Sequence, residues 1–258
     1  MDTPSSSSRI SSKANEVQVM KIHNVGKYLK DNNYPGRGII LGQTETSAVM
    51  AYFIMGRSEN SRNRIFVEKE KGIITQAHDE SKLVDPSLII YAPVRIAENG
   101  STVVTNGDQT DTVIEYLNQG KSFEEALRTR TFEPDAPNFT PRISGLMNVE
   151  DNKVTYKLSI LKSIEGSEEG VQRFFYEYDS TVNGTGHIIH TYEQDGDPIP
   201  SFCGEPVKID LYNQIDELTE VLWQNLNSEN KVSLFVRYID KQSGTVSTRI
   251  CNKNQGEV

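Results

Sequence analysis

The chain has 258 residues, of which 36% are hydrophobic and 24% are charged, a composition typical of a soluble globular protein with a sizeable core. Its formal net charge of -9 argues against a nucleic acid or an anionic membrane as a bulk partner, because both repel an acidic surface. A small anionic ligand is compatible with this charge where basic residues cluster locally. We therefore expect neither a nucleic acid nor a membrane as a partner.

The two cysteines, Cys203 and Cys251, lie far apart and form no CxxC pair, so the sequence predicts neither a disulfide scaffold nor a zinc site. No apolar run approaches the roughly 18 residues of a membrane span, and the first residues lack the apolar core of a signal peptide. We therefore expect a cytoplasmic protein. Because the serine-rich start is poor in apolar residues, we expect residues 1–15 to be a disordered leader and residues 16–258 to form one domain.

Short apolar runs separated by turn residues predict a series of strands in the first half of the chain. The predicted strands are 39–42, 48–55, 65–67, 72–75, 88–92, 94–97 and 102–105. Their short spacing favours antiparallel connections. A mixed apolar pattern over residues 17–30 predicts a helix ahead of the first strand.

Two helical patterns follow, at residues 111–119 and after Ser122, which forms a capping box with Glu125. Residues 210–226 form the clearest amphipathic helix of the chain. Further strands are predicted at 142–146, 154–161, 174–178, 187–192 and 232–238. This order of strands, helices, strands, helix and strands predicts an α+β fold with antiparallel sheets rather than a parallel doubly wound fold.

The segment from Asn106 to Thr112 packs several polar groups between a predicted strand and a predicted helix. Its Asn-Gly dipeptide predicts a tight turn, and Thr110 or Asp111 would cap the helix through a side-chain oxygen. A strand end and a helix N-terminus bring polar groups and the positive end of a helix dipole together. Two interpretations stay open at this point: a functional site, or a capped turn with solvated acids.

Basic residues cluster in two segments, 34–38 and 56–64. Arg37 is flanked by glycines, which allow a ligand to approach the backbone, and its guanidinium suits bidentate binding of phosphate or carboxylate. Arg57 and Arg64 belong to the second segment, for which the alternative is a solvated loop. We therefore regard Arg37 as the stronger candidate for binding a ligand.

Several common catalytic motifs are absent from the sequence, which contains no Walker loop, no Gly-x-Gly-x-x-Gly and no Gly-x-Ser-x-Gly. The histidines form no His-Glu-x-x-His, and His187 and His190 would point to opposite faces of a strand, so no metal site is predicted. Tyr192 and Glu193 would also face opposite sides. Glu193 is either a buried acid–base group or an exposed acid, and Tyr91 is either a functional phenol or a core aromatic.

Six motifs occur in order along the chain: Tyr34-Pro-Gly-Arg-Gly38, Arg57-Ser58 with Asn63-Arg64, Tyr91 before Val94-Arg95-Ile96, Thr105-Asn-Gly-x-x-Thr-Asp-Thr112, Asn138-x-Thr-Pro-Arg-Ile143 and Thr191-Tyr-Glu193. Together they resemble the archaeal-type inosine monophosphate (IMP) cyclohydrolases. The resemblance extends from Tyr34 to at least Glu193, and more faintly to the strand near Arg249. No single motif is specific to this family, but the occurrence of all six in the same order over most of the chain is a strong joint signal.

The resemblance implies a four-layer αββα sandwich of antiparallel sheets, as in the N-terminal-nucleophile hydrolases but without their self-processing nucleophile. It implies the ring closure of 5-formamidoimidazole-4-carboxamide ribotide to IMP in purine biosynthesis, with no cofactor. Such a reaction needs a near-attack geometry, a base and donors that stabilise charge on oxygen. A homo-oligomer is a further expectation.

Site roles follow as hypotheses from this resemblance. The predicted catalytic residues are Arg37, Tyr91, Tyr192 and Glu193. The predicted substrate-binding residues are Arg57, Asn63, Arg64, Asn106, Asp108, Thr110, Asp111 and Arg142. The chain departs from the family pattern in its extension before Tyr34 and in an acidic insertion at 165–170, which leave the substrate open. The alternative is a non-catalytic protein that binds a ribotide in the same pocket.

Overall fold

The computed structural model of the chain describes residues 21–83, 86 and 90–255. Its strands are β1 (Arg37–Gln43), β2 (Ser47–Met55), β3 (Arg64–Lys69), β4 (Gly72–Ala77), β5 (Val94–Ile96), β6 (Thr102–Thr105), β7 (Arg142–Glu150), β8 (Lys153–Ser163), β9 (Val171–Tyr178), β10 (Thr185–His190), β11 (Val207–Asp210), β12 (Lys231–Asp240) and β13 (Val246–Asn252). Six of them form a sheet in the order β11-β10-β1-β2-β12-β13. The other seven form a second sheet in the order β3-β4-β5-β6-β7-β8-β9.

The helices are short: α1 (Val25–Lys30), α2 (Glu59–Arg62), α3 (Gln109–Asn118), α4 (Phe123–Arg128) and α5 (Ile215–Asn225). Single 3-10 turns occur at Glu80–Lys82 and Lys253–Gln255. All the strand pairings within the two sheets are antiparallel. The predicted α+β class with antiparallel sheets is therefore confirmed. Among the described residues, no helix has the length and apolar character needed to cross a membrane.

Side chains alternate between the two faces of each sheet, and this alternation creates three apolar clusters. One face of the six-stranded sheet, including Ile40 and Phe53, packs against α1 and α5. Its other face, including Tyr52, packs against the seven-stranded sheet, which contributes Tyr156. The far face of the seven-stranded sheet packs against α3 and α4, as at Leu127. The core is thus divided among three interfaces, and the interface between the sheets is one of them.

Most of the predicted strands are confirmed, and three predicted elements differ in their extent. Residues 90–92 form no strand, and residues 88 and 89 of that prediction lie outside the described residues. The last helix begins at Ile215 rather than 210, because Val207–Asp210 forms β11. The first helix covers only Val25–Lys30 of the described residues, and the predicted leader at 1–15 lies outside them.

The predicted cap of α3 was wrong. The helix begins two residues earlier than Asp111, with Asp108 as its N-cap, and no side chain forms a capping hydrogen bond there. Thr110 and Asp111 are therefore residues of the first turn. The capping box of α4 is confirmed, because Ser122 and Glu125 each accept a hydrogen bond from the other's backbone amide.

Two histidines of β10 are buried on opposite faces of the strand, as the strand periodicity predicts. His187 shares a hydrogen bond of 2.7 Å with the Tyr156 hydroxyl and stacks on Tyr178 between the sheets. His190 shares one of 2.6 Å with the Tyr28 hydroxyl, under α1. Burial lowers the pKa of each imidazole to about 4. Both histidines are therefore neutral in the folded protein at neutral pH.

We expect stability to fall as the pH drops from about 6.5 towards 4, because the unfolded chain binds protons at these imidazoles before the folded chain does. Between pH 7 and 5.5 the two groups together would remove roughly 2 kcal/mol of unfolding free energy. Urea unfolding at both pH values tests this. His190→Gln should flatten the pH dependence, whereas His78→Gln, which removes an exposed imidazole, should keep it. Identical slopes for His190→Gln and the wild type would contradict the assignment.

Candidate functional site

The start of β1 presents Arg37 through a backbone turn that only glycine fits. Gly36 has φ of +77°, and a Cβ there would lie 2.3 Å from the Thr191 Oγ1 and 2.5 Å from the Tyr192 ring. The Arg37 amide donates to that Thr191 oxygen at 3.2 Å, and the Thr191 amide donates to the Arg37 carbonyl at 2.9 Å. The turn therefore fixes Arg37 against the end of β10.

A second guanidinium, that of Arg64 at the start of β3, is completely buried. Its Nε donates to the Ser61 carbonyl at 2.9 Å, but its Nη1 and Nη2 have no acceptor within the described residues, and neither has the buried Arg37 Nε. Burial lowers the pKa of Arg64, and the positive charge of Arg37 lowers it further. Buried donors without acceptors are costly, so these guanidinium groups are prepared for an anionic or strongly polar ligand.

Glu133, which the sequence analysis missed, is the buried carboxylate of this cluster, with 2% of its surface exposed. Burial raises its pKa, while the charges of Arg37 and Arg142 oppose that rise. Burial alone would lower the pKa of Arg37, but Glu133 and nearby phenols outweigh it and hold the pKa of Arg37 above its usual value. In the sequence, Glu133 is only a single acid between Phe132 and Pro134, a pattern without a distinctive signal.

Two phenols, Tyr52 and Tyr91, join the cluster from opposite sheets. Tyr52 on β2 is fully buried, and its hydroxyl lies 2.8 Å from the hydroxyl of Tyr91, which runs beside β4. The Tyr91 amide donates to the Thr75 hydroxyl at 2.8 Å, which fixes its backbone. Burial raises the pKa of Tyr91, although the charges of Arg64 and Arg37 oppose this. Both phenols are therefore protonated and can donate.

Tyr192 lies on the other side of Arg37. Its hydroxyl is 2.5 Å from that of Thr140, which in turn donates to the Asp135 carboxylate. Burial raises the pKa of Tyr192 to about 12 against the opposing charge of Arg37. Its ring stacks on that of Tyr34, with the centroids 5.8 Å apart. Tyr192 is therefore a protonated phenol held between two loops.

Hydrogen bonds of the Asn106 side chain connect the loop of Glu133 to the start of β7. The Asn106 amide donates to the Pro141 carbonyl at 2.9 Å and more weakly to the Glu133 carboxylate at 3.4 Å, and its oxygen accepts from the Ile143 amide at 2.8 Å. A Cβ at Gly107 would lie 2.4 Å from the Arg142 Nη1, so glycine lets that guanidinium cross the turn. The turn therefore sets the positions of Arg142 and Glu133.

Asp108 lies between two arginines at the edge of this turn. It forms ion pairs with Arg130 and with Arg142, the latter at 2.7 Å. Partial burial opposes its ionisation, but its hydrogen bonds and charge interactions with the two arginines outweigh this and hold its pKa below the usual range. Arg142 also donates to the Gln109 amide oxygen at 2.6 Å.

Four of the predicted residues lie together in the structure: Arg37, Arg64, Tyr91 and Tyr192. Glu133 connects this group to three more predicted residues, namely Asn106, Asp108 and Arg142. The structure separates the remaining predicted residues from this cluster. Asn63 exchanges two 2.8 Å hydrogen bonds with the Asp79 backbone, and the Thr110 hydroxyl bonds to that of Thr105 at 2.7 Å. Asp111 forms an exposed ion pair with Arg95. Exposed Glu193 accepts from the Cys203 amide at 3.1 Å. Arg57 lies at the rim.

Comparisons with known proteins point to one family. A family model described as IMP cyclohydrolase-like protein matches residues 34–243. The chain is 31% identical over 182 residues to an IMP cyclohydrolase from Methanopyrus kandleri, an alignment that covers 66% of this chain and 89% of the relative. It is 29% identical over 121 residues to an IMP cyclohydrolase from Methanosphaera stadtmanae, covering 45% of this chain and 59% of the relative. The resemblance inferred from the six motifs is thereby confirmed.

The fit of Gly36 can be tested by comparison with Gly100, which has a similar φ of +85° but nothing within 4 Å of an added Cβ. Gly100→Ala should lower the unfolding free energy by about 1–2 kcal/mol, the cost of the left-handed conformation. Gly36→Ala carries the same cost and should lose roughly a further 1–3 kcal/mol, because Thr191 and Tyr192 must move. Equal losses in urea unfolding of the two variants would show that the contact is unimportant.

Proposed function

The chain belongs to the IMP cyclohydrolase-like family, and we propose that it catalyses the dehydrative closure of 5-formamidoimidazole-4-carboxamide ribotide to IMP. One observation supports this most strongly. The buried guanidinium of Arg64 and the buried Nε of Arg37 carry N–H donors without acceptors in the described residues, beside a buried carboxylate and protonated phenols. Such a group of donors and one base matches the needs of the reaction.

The chemistry requires no covalent intermediate with the protein. The carboxamide nitrogen attacks the formyl carbon and forms the new C–N bond as it loses a proton. The formyl oxygen takes up a proton and becomes a hydroxyl group. The C–O bond then breaks as this hydroxyl takes up a second proton and leaves as water, while the formamido nitrogen loses its proton and the C=N bond forms. The protein must hold the two groups at near-attack distance, accept the nitrogen proton, stabilise charge on the formyl oxygen and return a proton to the departing hydroxyl.

We assign the stabilisation of oxygen charge to Arg37 and Arg64. Charge that develops on the formyl oxygen is stabilised most by donors that are already oriented and shielded from water. Arg64 meets both conditions, because it is fully buried and its Nε is anchored on the Ser61 carbonyl. The two guanidinium groups would thereby gain the acceptors that they lack.

We assign proton transfer to Glu133 and the phenols. Burial raises the pKa of Glu133, which makes its carboxylate a stronger base than an exposed glutamate. Tyr91 and Tyr192 stay protonated at neutral pH, so either phenol can return a proton to the leaving hydroxyl. Glu193, which is exposed and accepts from the Cys203 amide, is left outside this step.

The remaining predicted residues are given binding or positioning roles. Arg57 at the rim would bind the ribose phosphate. We propose that Asn106, Asp108 and Arg142 position Glu133 and the edge of the pocket, because their polar atoms are already engaged within the protein. Thr110, Asn63 and Asp111 would not contact the ligand. Their side chains bind other parts of the protein instead, as described above.

The finer features of the fold and setting are part of the proposal. The three apolar clusters support a four-layer αββα sandwich of the kind found in N-terminal-nucleophile hydrolases. We further propose one domain over residues 16–258, a cytoplasmic setting, a ribotide as the small-molecule partner and a possible homo-oligomer.

The activity is tested by incubating the pure protein with the formamido ribotide and following the absorbance change of ring closure. Arg64→Gln should lower kcat by about 100-fold or more, the usual effect of removing an oriented donor to a developing oxyanion. Arg249→Gln is the matched control, because that arginine is exposed and pairs with Asp216 near α5. Binding of the ribotide without turnover by the wild type would support the non-catalytic alternative.

The pH dependence of kcat tests the role of Glu133. A base must be ionised to act, so kcat should fall as the pH drops through the pKa of Glu133, which burial holds above the usual range of a glutamate. Glu133→Gln should lower kcat and remove this acidic limb. If Glu133→Gln lost activity but kept the limb of the wild type, another group would be the base.

A further inference from the structure

The guanidinium of Arg57 is occupied by a carboxylate of the chain itself. Arg57 Nη1 donates to the Asp195 carboxylate at 2.7 Å and to the Gly196 carbonyl at 2.8 Å. Both partners belong to the segment 193–202 that follows β10. The two side chains of the ion pair are 37% and 49% exposed, so the pair faces solvent.

This ion pair lies at the edge of the buried cluster. The Arg57 guanidinium is 5.2 Å from the centre of the Tyr34 ring, and Tyr34 stacks on Tyr192, whose hydroxyl bonds to Thr140. The positive charge of Arg37 opposes the rise in the pKa of Tyr192 that burial causes. The Arg57 guanidinium is therefore linked through the rings of Tyr34 and Tyr192 to the surroundings of Arg37.

The segment that carries Asp195 is fixed at its base and acidic at its tip. The Glu193 amide donates to the Pro200 carbonyl at 2.9 Å, which closes the base. The Ile199 amide donates to the Asn138 side chain at 3.1 Å, which ties the segment to the loop of Glu133. Asp195 and Asp197 are exposed at the tip. The Asp195 carboxylate is thereby held over Arg57 from a short loop.

We propose that Asp195 occupies the place of the substrate's 5'-phosphate on Arg57 and is displaced by it, so that Asp195 sets the affinity for phosphorylated ligands. This inference rests on the proposed function. An exposed ion pair of this kind is weak, whereas a phosphate offers a guanidinium two charge-assisted hydrogen bonds and a higher charge. A phosphate can therefore replace the carboxylate, and the carboxylate left beside it repels the incoming charge.

The consequence is selective for the phosphate group. A nucleoside without a phosphate does not compete with Asp195 and leaves the pair intact. Removal of the Asp195 charge should therefore strengthen the binding of IMP and leave the binding of inosine unchanged. Asparagine is the suitable replacement, because it retains the oxygen that accepts from the Gly196 amide at 3.0 Å.

The test is calorimetric titration of IMP and inosine into the wild-type protein and Asp195→Asn. We expect the Kd for IMP to fall by about two- to five-fold, as expected when an exposed ion pair is lost. The Kd for inosine should not change. Asp197→Asn is the matched control, since Asp197 is exposed on the same segment and forms no ion pair within the described residues. It should bind IMP as the wild type does.

A double-mutant cycle identifies the partner. Arg57→Gln should weaken IMP binding, and adding Asp195→Asn to it should bring a smaller gain than in the wild type, because only the repulsion between carboxylate and phosphate remains to be relieved. Thermal unfolding of each variant checks that the loop remains folded. Equal Kd values for IMP in the wild type and Asp195→Asn, or an equal gain in Asp197→Asn or with inosine, would overturn the inference.

The failure of the proposed function is distinguished by assaying ring closure in the same preparations. If the wild type binds IMP but does not close the ring, and Asp195→Asn still tightens IMP binding selectively, the inference stands and the catalytic proposal fails. If the wild type closes the ring but Asp195→Asn has an unchanged Kd for IMP, the reverse holds. Wild-type protein that neither binds IMP nor closes the ring would overturn both.

Discussion

The positive charge of Arg37 and of the buried Arg64, set against the buried carboxylate of Glu133, is the constraint on which the candidate site depends. Removing an ion from water costs several kcal/mol even in a relaxed protein interior, and unpaired donors add to that cost. Arg64 is anchored through one nitrogen only, and its other two nitrogens have no acceptor in the described part of the chain. The protein therefore maintains an arrangement that is less favourable without a ligand than with one. Such a cost is typical of a binding site.

The antiparallel architecture explains how these groups meet. Arg37 begins β1 of one sheet and Arg64 begins β3 of the other, so the ends of two sheets converge where the charges lie. Glu133 comes from the long connection between α4 and β7, whose backbone is fixed by the bond from the Glu133 amide to the Thr140 carbonyl at 2.9 Å. The Asn106 side chain joins that connection to the end of β6. The strands thus hold the two arginines in fixed positions, and the connection between α4 and β7 places Glu133 beside them.

Prediction from the sequence succeeded where a feature is local. Strand alternation and the capping box at Ser122 are expressed within a few residues, and both were found. Arg37 could be proposed from the sequence because its glycine neighbours signal a close approach of backbone atoms, and the structure places it in the cluster with Tyr192. Glu133 was missed because its importance comes only from burial among residues distant in sequence. The N-cap of α3 was misplaced for a related reason: the Asn106 side chain bonds to the distant Pro141 and Ile143, and the helix starts directly behind it. Both features depend on contacts between residues far apart in sequence, which local patterns do not reveal.

The hydrogen bond between Tyr52 and Tyr91 connects a core residue of one sheet with a site residue beside the other. Tyr52 packs in the interface between the sheets, where it also stacks on Phe66 at 5.5 Å. The distance between the sheets therefore fixes the distance between two hydroxyl groups next to Arg64. A change in side-chain volume between the sheets therefore also changes the distance and angle at which these two hydroxyl groups meet. Under the proposed function, the spacing of the two sheets is therefore a catalytic parameter as well as a structural one.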